Sequence, residues 1–341
     1  MSDPVRVALD GFGADGGPEP IAAGARLAAA DGIELRVFGS PDQLGLDSDE
    51  AVEVVPTVDW ISNEDDPVPS VRSRHDASVV AAARDVAEGR ADALVSAGST
   101  GAAMAAATFA LRRMRGVQRP ALAALLPVPG GPVLFLDVGA SVEARSQHLV
   151  QFAYLGAAFS QAVLEVERPR VALLTVGEEA GKGRPEVGAA HQFLSAAGGI
   201  EFVGNLEGRD LPAAAADVVV TDGFTGNVAL KLMEGTVGVV TGAIREAARS
   251  NPVASLGGLL LRPALGELRR ELDPEAVGGA ILLGLRGVAV VAHGSSGAEG
   301  IANAVRLAAR CVREGAVERT ESLLKESGVN RGALAATDAG P

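Results

Sequence analysis

The stretch "DVVVTDGFTGNVALK", residues 217–231, sets the reading of the whole chain. Three valines after Asp217 make a β-type run with no polar face, "DGFTGN" supplies a glycine-rich turn, and Val228 to Lys231 open a helical pattern. A strand apolar on both faces, followed at once by a turn and a helix, is the unit of a parallel sheet wrapped by helices. The turn offers no cysteine or histidine nucleophile, no metal-ligand set and no standard nucleotide motif. Its use has to be read from the other turns of the same kind.

Apolar runs recur at Val5–Leu9, Leu35–Phe38, Val52–Val55, Ala93–Val95, Val133–Leu136, Val171–Val176, Phe202–Val203, Val218–Val220 and Val288–Val291. Six glycine-rich loops follow such runs. They are "DGFGADGG" (10–17) with Asp10, Gly11 and Gly13, "SAGSTGA" (96–102) with Ser99, Thr100 and Gly101, and "DVGAS" (137–141) with Asp137 and Ser141. The others are "VGEEAGKG" (176–183) with Gly177 and Lys182, "GNLEGRD" (204–210) with Asn205, and "DGFTGN" (222–227) with Asp222, Gly223, Gly226 and Asn227. Ligands collect at the carboxyl ends of parallel strands, glycine lets backbone amides approach an anion, and helix N-termini add positive dipole ends. A single such loop is ordinary turn chemistry. Six together predict one anion-binding cleft.

Composition agrees with a large α/β unit. Hydrophobic residues make up 48% of the 341, while aromatics are 3% and glycines number 43, which favours close helix-on-sheet packing. No long linker interrupts residues 1–327, read as a single catalytic domain. Residues 251–274, "NPVASLGGLLLRPALGELRRELDP", read as two helical pieces broken at Pro263, and 328–341 as a small, polar, mobile tail. A formal charge of −13 argues against nucleic acid and against general attraction to anionic lipid. The lone Cys311 allows no intrachain disulfide, and "MSDPVRVALD" has no export pattern, so a cytoplasmic protein is expected. The longest apolar stretch, "AVGGAILLGLRGVAVVA" (276–292), holds Arg286 and four glycines and reads as a buried helix-to-strand passage rather than a membrane span.

Two tempting motifs fail. "GFGADG" (11–16) matches a dinucleotide fingerprint, but Pro18 and Pro20 delay the helix and Asp15 stands where pyrophosphate belongs. "GEEAGKG" (177–183) has only three residues between Gly177 and Gly181, and Gly183 where a magnesium-binding hydroxyl is needed. The four histidines show no metal-ligand spacing and there is no G-x-S-x-G elbow, so neither metal nor cofactor is expected. His293, in "AHGSSG", is the one histidine at a strand end beside glycine, and both a structural and a functional role fit it. "LRRMRGVQR" (111–119) gathers Arg112, Arg113, Arg115 and Arg119, either as a solvated helix end or as a dock for an acidic partner.

Taken in order, "VALDGFGAD", "RPAL", "LDVGAS", "GNLEGRD", "DGFTGNVALK" and "GGAILLGLRGVAVVAHGSS" resemble the bacterial phosphate acyltransferases that act on fatty acyl-acyl carrier protein, the PlsX family. The resemblance implies a three-layer α/β/α fold with a mostly parallel sheet, related to the isocitrate and isopropylmalate dehydrogenases, with a projecting helical segment. It implies attack of inorganic phosphate on an acyl carrier protein thioester, giving acyl phosphate for phospholipid synthesis. It also implies a homodimer, a downstream acyl-phosphate:glycerol-3-phosphate acyltransferase as a further partner, and peripheral contact with the inner face of the membrane. The family's catalytic lysine and asparagine match Lys182 and Asn227. Ser99 and Ser141 stand where asparagines are common, Val277 replaces a usual tyrosine, and Arg286 takes a position often held by asparagine.

Phosphate near neutral pH is nucleophilic and a thiolate leaves readily, so positioning and electrostatics suffice without a triad or metal. Three rival readings remain at this point: a phosphate acetyl- or butyryltransferase using coenzyme A thioesters, an oxidoreductase on the same fold, and a catalytically impaired scaffold that recruits the downstream acyltransferase.

Overall fold

The structure is a computed structural model that describes residues 4–46 and 51–329. Eleven strands form one sheet in the order β3-β2-β1-β4-β11-β10-β5-β6-β9-β7-β8. They are β1 (Arg6–Asp10), β2 (Glu34–Gly39), β3 (Val52–Pro56), β4 (Ala93–Ser96), β5 (Ala121–Leu126), β6 (Val133–Leu136), β7 (Arg170–Leu174), β8 (Glu201–Leu206), β9 (Val218–Val220), β10 (Ala280–Leu283) and β11 (Val288–Val291). The helices are α1 (Pro18–Ala30), α2 (Pro41–Leu44), α3 (Pro67–Ser73), α4 (Ser78–Ala87), α5 (Thr100–Leu111), α6 (Ser146–Ala162), α7 (Pro185–Ala196), α8 (Gly223–Ala247), α9 (Pro252–Glu271), α10 (Ala298–Arg313) and α11 (Ala316–Glu326).

Successive strand residues serve opposite layers. Leu134 and Leu136 join the core under α1, α6, α7, α10 and α11, whereas Phe135 between them joins the core under α3, α4 and α5. This is why the strands read as unbroken apolar runs, and burial of each large side chain such as Phe135 is worth about 2–3 kcal/mol. The arrangement is the three-layer α/β/α sandwich with a mostly parallel sheet.

The central strands are the exception. β10 pairs antiparallel with both β11 and β5, and β5 pairs antiparallel with β6. Strands β1, β4 and β11 therefore deliver their carboxyl ends to one edge of the sheet, while β6, β7, β8 and β9 deliver theirs to the opposite edge. The expectation of a single cleft built directly from six neighbouring loops is corrected by this reversal.

The sequence reading missed the strands β5 and β10 that reverse the sheet, because both are short apolar runs without polar alternation. Residues 276–292 are not a helix-to-strand passage. Most of that stretch is a β10–β11 hairpin, with Gly284 at φ 89° in its turn. The helical segment 251–274 is also more regular than expected: α9 runs through Pro263. Proline removes one amide donor, and along this exposed helix water can serve the freed carbonyl. Val329, assigned to the tail by sequence, is buried in the core, and residues 330–341 lie outside the described part.

At the start of α8, Gly226 packs directly on the backbone of Asp137, and a methyl group there would overlap the Asp137 carbonyl oxygen. Gly226→Ala is expected to lower stability by about 1–3 kcal/mol or more, whereas the same change in an unobstructed helix raises it by up to about 1 kcal/mol. Calorimetry on the variant checks this; an unchanged melting temperature contradicts the tight junction.

Candidate active site

The loop after β6 is organised by one buried carboxylate. Asp137, fully buried, accepts from the amides of Leu122 (3.1 Å), Gly139 (3.1 Å), Ala140 (2.8 Å) and Ser141 (2.7 Å). Burial pushes its pKa up and these amides pull it back. The Ser141 carbonyl then accepts from Gly223 N at 2.8 Å, tying the loop to the first turn of α8. Asp222 caps that helix by accepting from Thr225 N at 3.0 Å and Thr225 Oγ1 at 2.7 Å, and it pairs with the Arg184 guanidinium.

From this anchored start α8 crosses the sheet face. Asn227, Leu230, Lys231 and Glu234 recur at helical spacing and line a cavity of about 680 Å3. Its floor includes Leu122, Ala124, Ala280 and Val291, and its opposite wall is α5 with Thr100, Gly101 and Met104. Gly139 reaches it from one sheet edge, while His293 and Ser295 reach it from the other. α5 starts at the edge where β4 ends, and α8 starts at the opposite one. The two helices thus join loops that the reversed strands separate.

The predicted residues divide accordingly. Near β1 and β4, Asp10 is buried and accepts from Ser78 Oγ (2.5 Å), Ser96 Oγ (2.7 Å) and Phe12 N (3.3 Å); desolvation raises its pKa to about 6. Gly11 donates to the Phe38 carbonyl, and Gly13 adopts φ 85° against Gly98. Ser99 precedes α5 without a side-chain capping bond, so Thr100 and Gly101 present the open start of a helix to the cavity.

On the other edge, Asn205 is buried, shares a 2.9 Å contact with His191 and donates to the Glu179 carbonyl at 2.9 Å. Its side chain holds the 176–183 loop from beneath. Asp10, Asp137 and Asn205 consequently act as loop organisers, with their polar atoms turned into the protein. Gly177 packs against the Lys182 side chain. Lys182 itself is exposed and stands outside the cavity lining, and its loop is joined to α8 through Arg184.

Arg112, Arg113 and Arg115 are exposed at the end of α5, beside Arg119 and Arg286. The Arg286 amide donates to the Arg112 carbonyl (3.0 Å) and its Nε to the Arg113 carbonyl (3.1 Å), while the Arg113 guanidinium bonds the Gln118 carbonyl. This basic edge lies on the same side of the sheet as the Asp137 loop. Lys231, Glu234, Ser295 and Arg184 were not singled out by sequence reasoning. A signal existed for Lys231, four residues beyond Asn227 on the same helix face.

The sequence model of the fatty acid synthesis proteins matches residues 5–319. The chain belongs to this family. The phosphate acyltransferase of Elusimicrobium minutum is 44% identical over 331 residues, covering 94% of this chain and 96% of that protein. That of Geobacillus sp. is 42% identical over 328 residues, covering 95% and 99%. Among solved structures, a phosphotransacetylase from Streptococcus pyogenes aligns with TM-score 0.58 at 16% identity, over 92% of this chain and 95% of the other. A 4-hydroxythreonine-4-phosphate dehydrogenase from Klebsiella pneumoniae aligns with TM-score 0.51 at 15% identity, over 92% and 98%. These two structures share the family's fold, in agreement with the dehydrogenase-related architecture expected from sequence.

Two outcomes test the anchors. Asp137→Ala strips four amides of their acceptor, and at about 1–3 kcal/mol for each group left unpaired, a loss of at least 3 kcal/mol is expected in urea denaturation. Asp10 holds its proton more tightly folded (about 6) than its ordinary value of 3.8, so its contribution to stability is present below pH 4 and is lost as pH rises through 6. That gap corresponds to about 3 kcal/mol. Relative to Asp10→Asn, the wild type is expected to lose most of that between pH 4 and pH 7; a difference in stability between the two proteins that stays the same at both pH values would contradict it.

Proposed function

We propose that the chain transfers an acyl group from a thioester to inorganic phosphate, releasing acyl phosphate and free thiol. The observation that carries this reading is the 44% identity, over nearly the whole of both chains, to a protein named phosphate acyltransferase. The geometry suits it. The cavity combines an apolar floor, the open N-terminus of α5, the Asn227 amide and the Lys231 ammonium, which together fit a hydrophobic acyl group beside an anion. Cys311, the only cysteine, is buried in α10 with its thiol pushed up to about 12 by desolvation, so it serves packing and not thioester chemistry.

In this reading phosphate is the nucleophile, Asn227 orients the thioester carbonyl or phosphate from the cavity wall, and Lys182 reaches in from the exposed loop that Arg184 joins to α8 to offset charge on phosphate or the tetrahedral oxyanion. The physiological thioester is acyl carrier protein. Arg112, Arg113 and Arg115, extended by Arg119 and Arg286, form the basic docking edge for an acidic carrier in a protein of net charge −13. The product feeds phospholipid synthesis through a downstream acyltransferase.

The working form is a homodimer. Phe224, Leu232, Val239 and Leu260 are 63%, 69%, 73% and 74% exposed on α8 and α9, large apolar side chains that a second copy would cover. No described helix is long and apolar enough to cross a membrane. Leu256, Leu259 and Leu261, exposed on α9 beside Arg262 and Arg270, support a peripheral lipid-contacting role for that helix at the inner face of the membrane.

Hydroxylamine trapping of acyl phosphate, after mixing the protein with palmitoyl-acyl carrier protein and inorganic phosphate, tests the reaction. Phosphate-dependent product is expected from the wild type. Lys182→Ala and Asn227→Ala are each expected to reduce turnover about a hundredfold or more. Turnover with short acyl-coenzyme A but none with the carrier protein would favour the phosphotransacetylase-like reading.

A further inference from the structure

One polar cluster in the cavity joins Lys231 to His293. Lys231 Nζ lies 3.1 Å from His293 Nε2 and 2.8 Å from Glu234 Oε2. On the far side of the ring, Ser295 Oγ is 2.8 Å from Nδ1. An ammonium only donates, so the nitrogen facing Lys231 is an acceptor. A neutral imidazole has one acceptor nitrogen, which places the ring proton on Nδ1, donated to Ser295 Oγ. The Ser295 backbone amide donates toward Nδ1 at 3.2 Å and favours the opposite tautomer, so the two compete, and the charged donor, the Lys231 ammonium, favours the one that leaves Nε2 as acceptor.

The basic nitrogen of His293 therefore faces the cavity, covered by a lysine side chain that is 50% exposed. Asn227 sits one helical turn before Lys231 on the same wall. Other charged groups around the pair are Glu234 on α8, Asp273 and Glu275 before β10, and Asp15 against Gly294. The anion expected in the cavity competes for the lysine, and its arrival uncovers the histidine.

We propose that His293 is the proton relay of acyl transfer and that Lys231 is its positioning residue, leaving Nε2 for phosphate when phosphate binds. The assignment rests on the phosphate acyltransferase reading. Monohydrogen phosphate attacks the thioester carbonyl, a C–O bond forms and the C–S bond breaks. The phosphate proton passes to Nε2 and from there to the departing thiolate. An acyl phosphate dianion and a neutral thiol result, and the imidazole returns to its starting form, so charge and protons balance without an outside acid.

The test compares full-length wild type and His293→Gln on two acyl thioesters at saturating phosphate. One has an alkyl thiol leaving group and the other an acidic aryl thiol that departs without protonation. A relay is worth about a hundredfold or more, so His293→Gln is expected to slow the alkyl thioester by that factor and the aryl thioester by less than tenfold. Lys231→Met is expected to raise the KM for phosphate at least tenfold.

Equal slowing of both thioesters, or alkyl turnover within threefold of wild type, overturns the relay while leaving acyl transfer intact. Wild-type inactivity on both thioesters and on acyl carrier protein overturns the acyl-transfer reading and the relay with it. If His293→Gln does not fold, a series of thiols on the wild type decides: a shallow dependence of kcat on thiol acidity is expected, and a steep one overturns the proposal.

Discussion

The site hangs on the Asp137 carboxylate and the backbone amides it gathers. A buried carboxylate is costly unless its lone pairs are filled, and here one from β5 and three from its own loop fill them. The loop thus shaped offers the Ser141 carbonyl to Gly223 and the Asp137 carbonyl to the bare face of Gly226. Those contacts set where α8 begins and how it is rotated about its axis. Every cavity-lining residue of α8 inherits its position from that start.

Reversal of the sheet at β10 and β5 then decides what α8 can meet. In a uniformly parallel sheet all the glycine loops would crowd one edge. Here they divide, and α5 and α8 span the face between the edges from opposite ends. The cavity enclosed by the two helices has an apolar floor made of strands and polar groups at both mouths. In the proposed reading such a site orients an anion and an acyl group in a low-dielectric space, where fixed dipoles and ammonium groups count for more than they do in water.

Charge is arranged with the same economy. The protein as a whole is strongly acidic, yet Arg112, Arg113, Arg115, Arg119 and Arg286 stand together on the edge that also bears the Asp137 loop. Arg184 neutralises the buried Asp222 that caps α8, while Lys182 two residues before it remains exposed. Local cations within an anionic surface draw negative charge to one edge of the protein and repel it elsewhere.

Much of this was legible in the sequence, since strand–turn–helix units follow from local periodicity and glycine placement. Asp222, Gly223, Gly226 and Asn227 were recognised because turn and helix-cap chemistry is written in adjacent residues. Membership of the family was legible for the same reason, its motifs being contiguous. The strands β5 and β10 were not, because "ALAALL" and "AILL" are short apolar runs whose direction depends on partners far away in the chain. Nor could the sequence bring Lys231 to His293, 62 residues apart, or turn Asp10, Asp137 and Asn205 inward. Local propensity determined the elements and the family. Long-range pairing alone decided strand direction, and with it which loops share a cavity, because hydrogen-bond register between distant strands leaves no trace in the residues next to each.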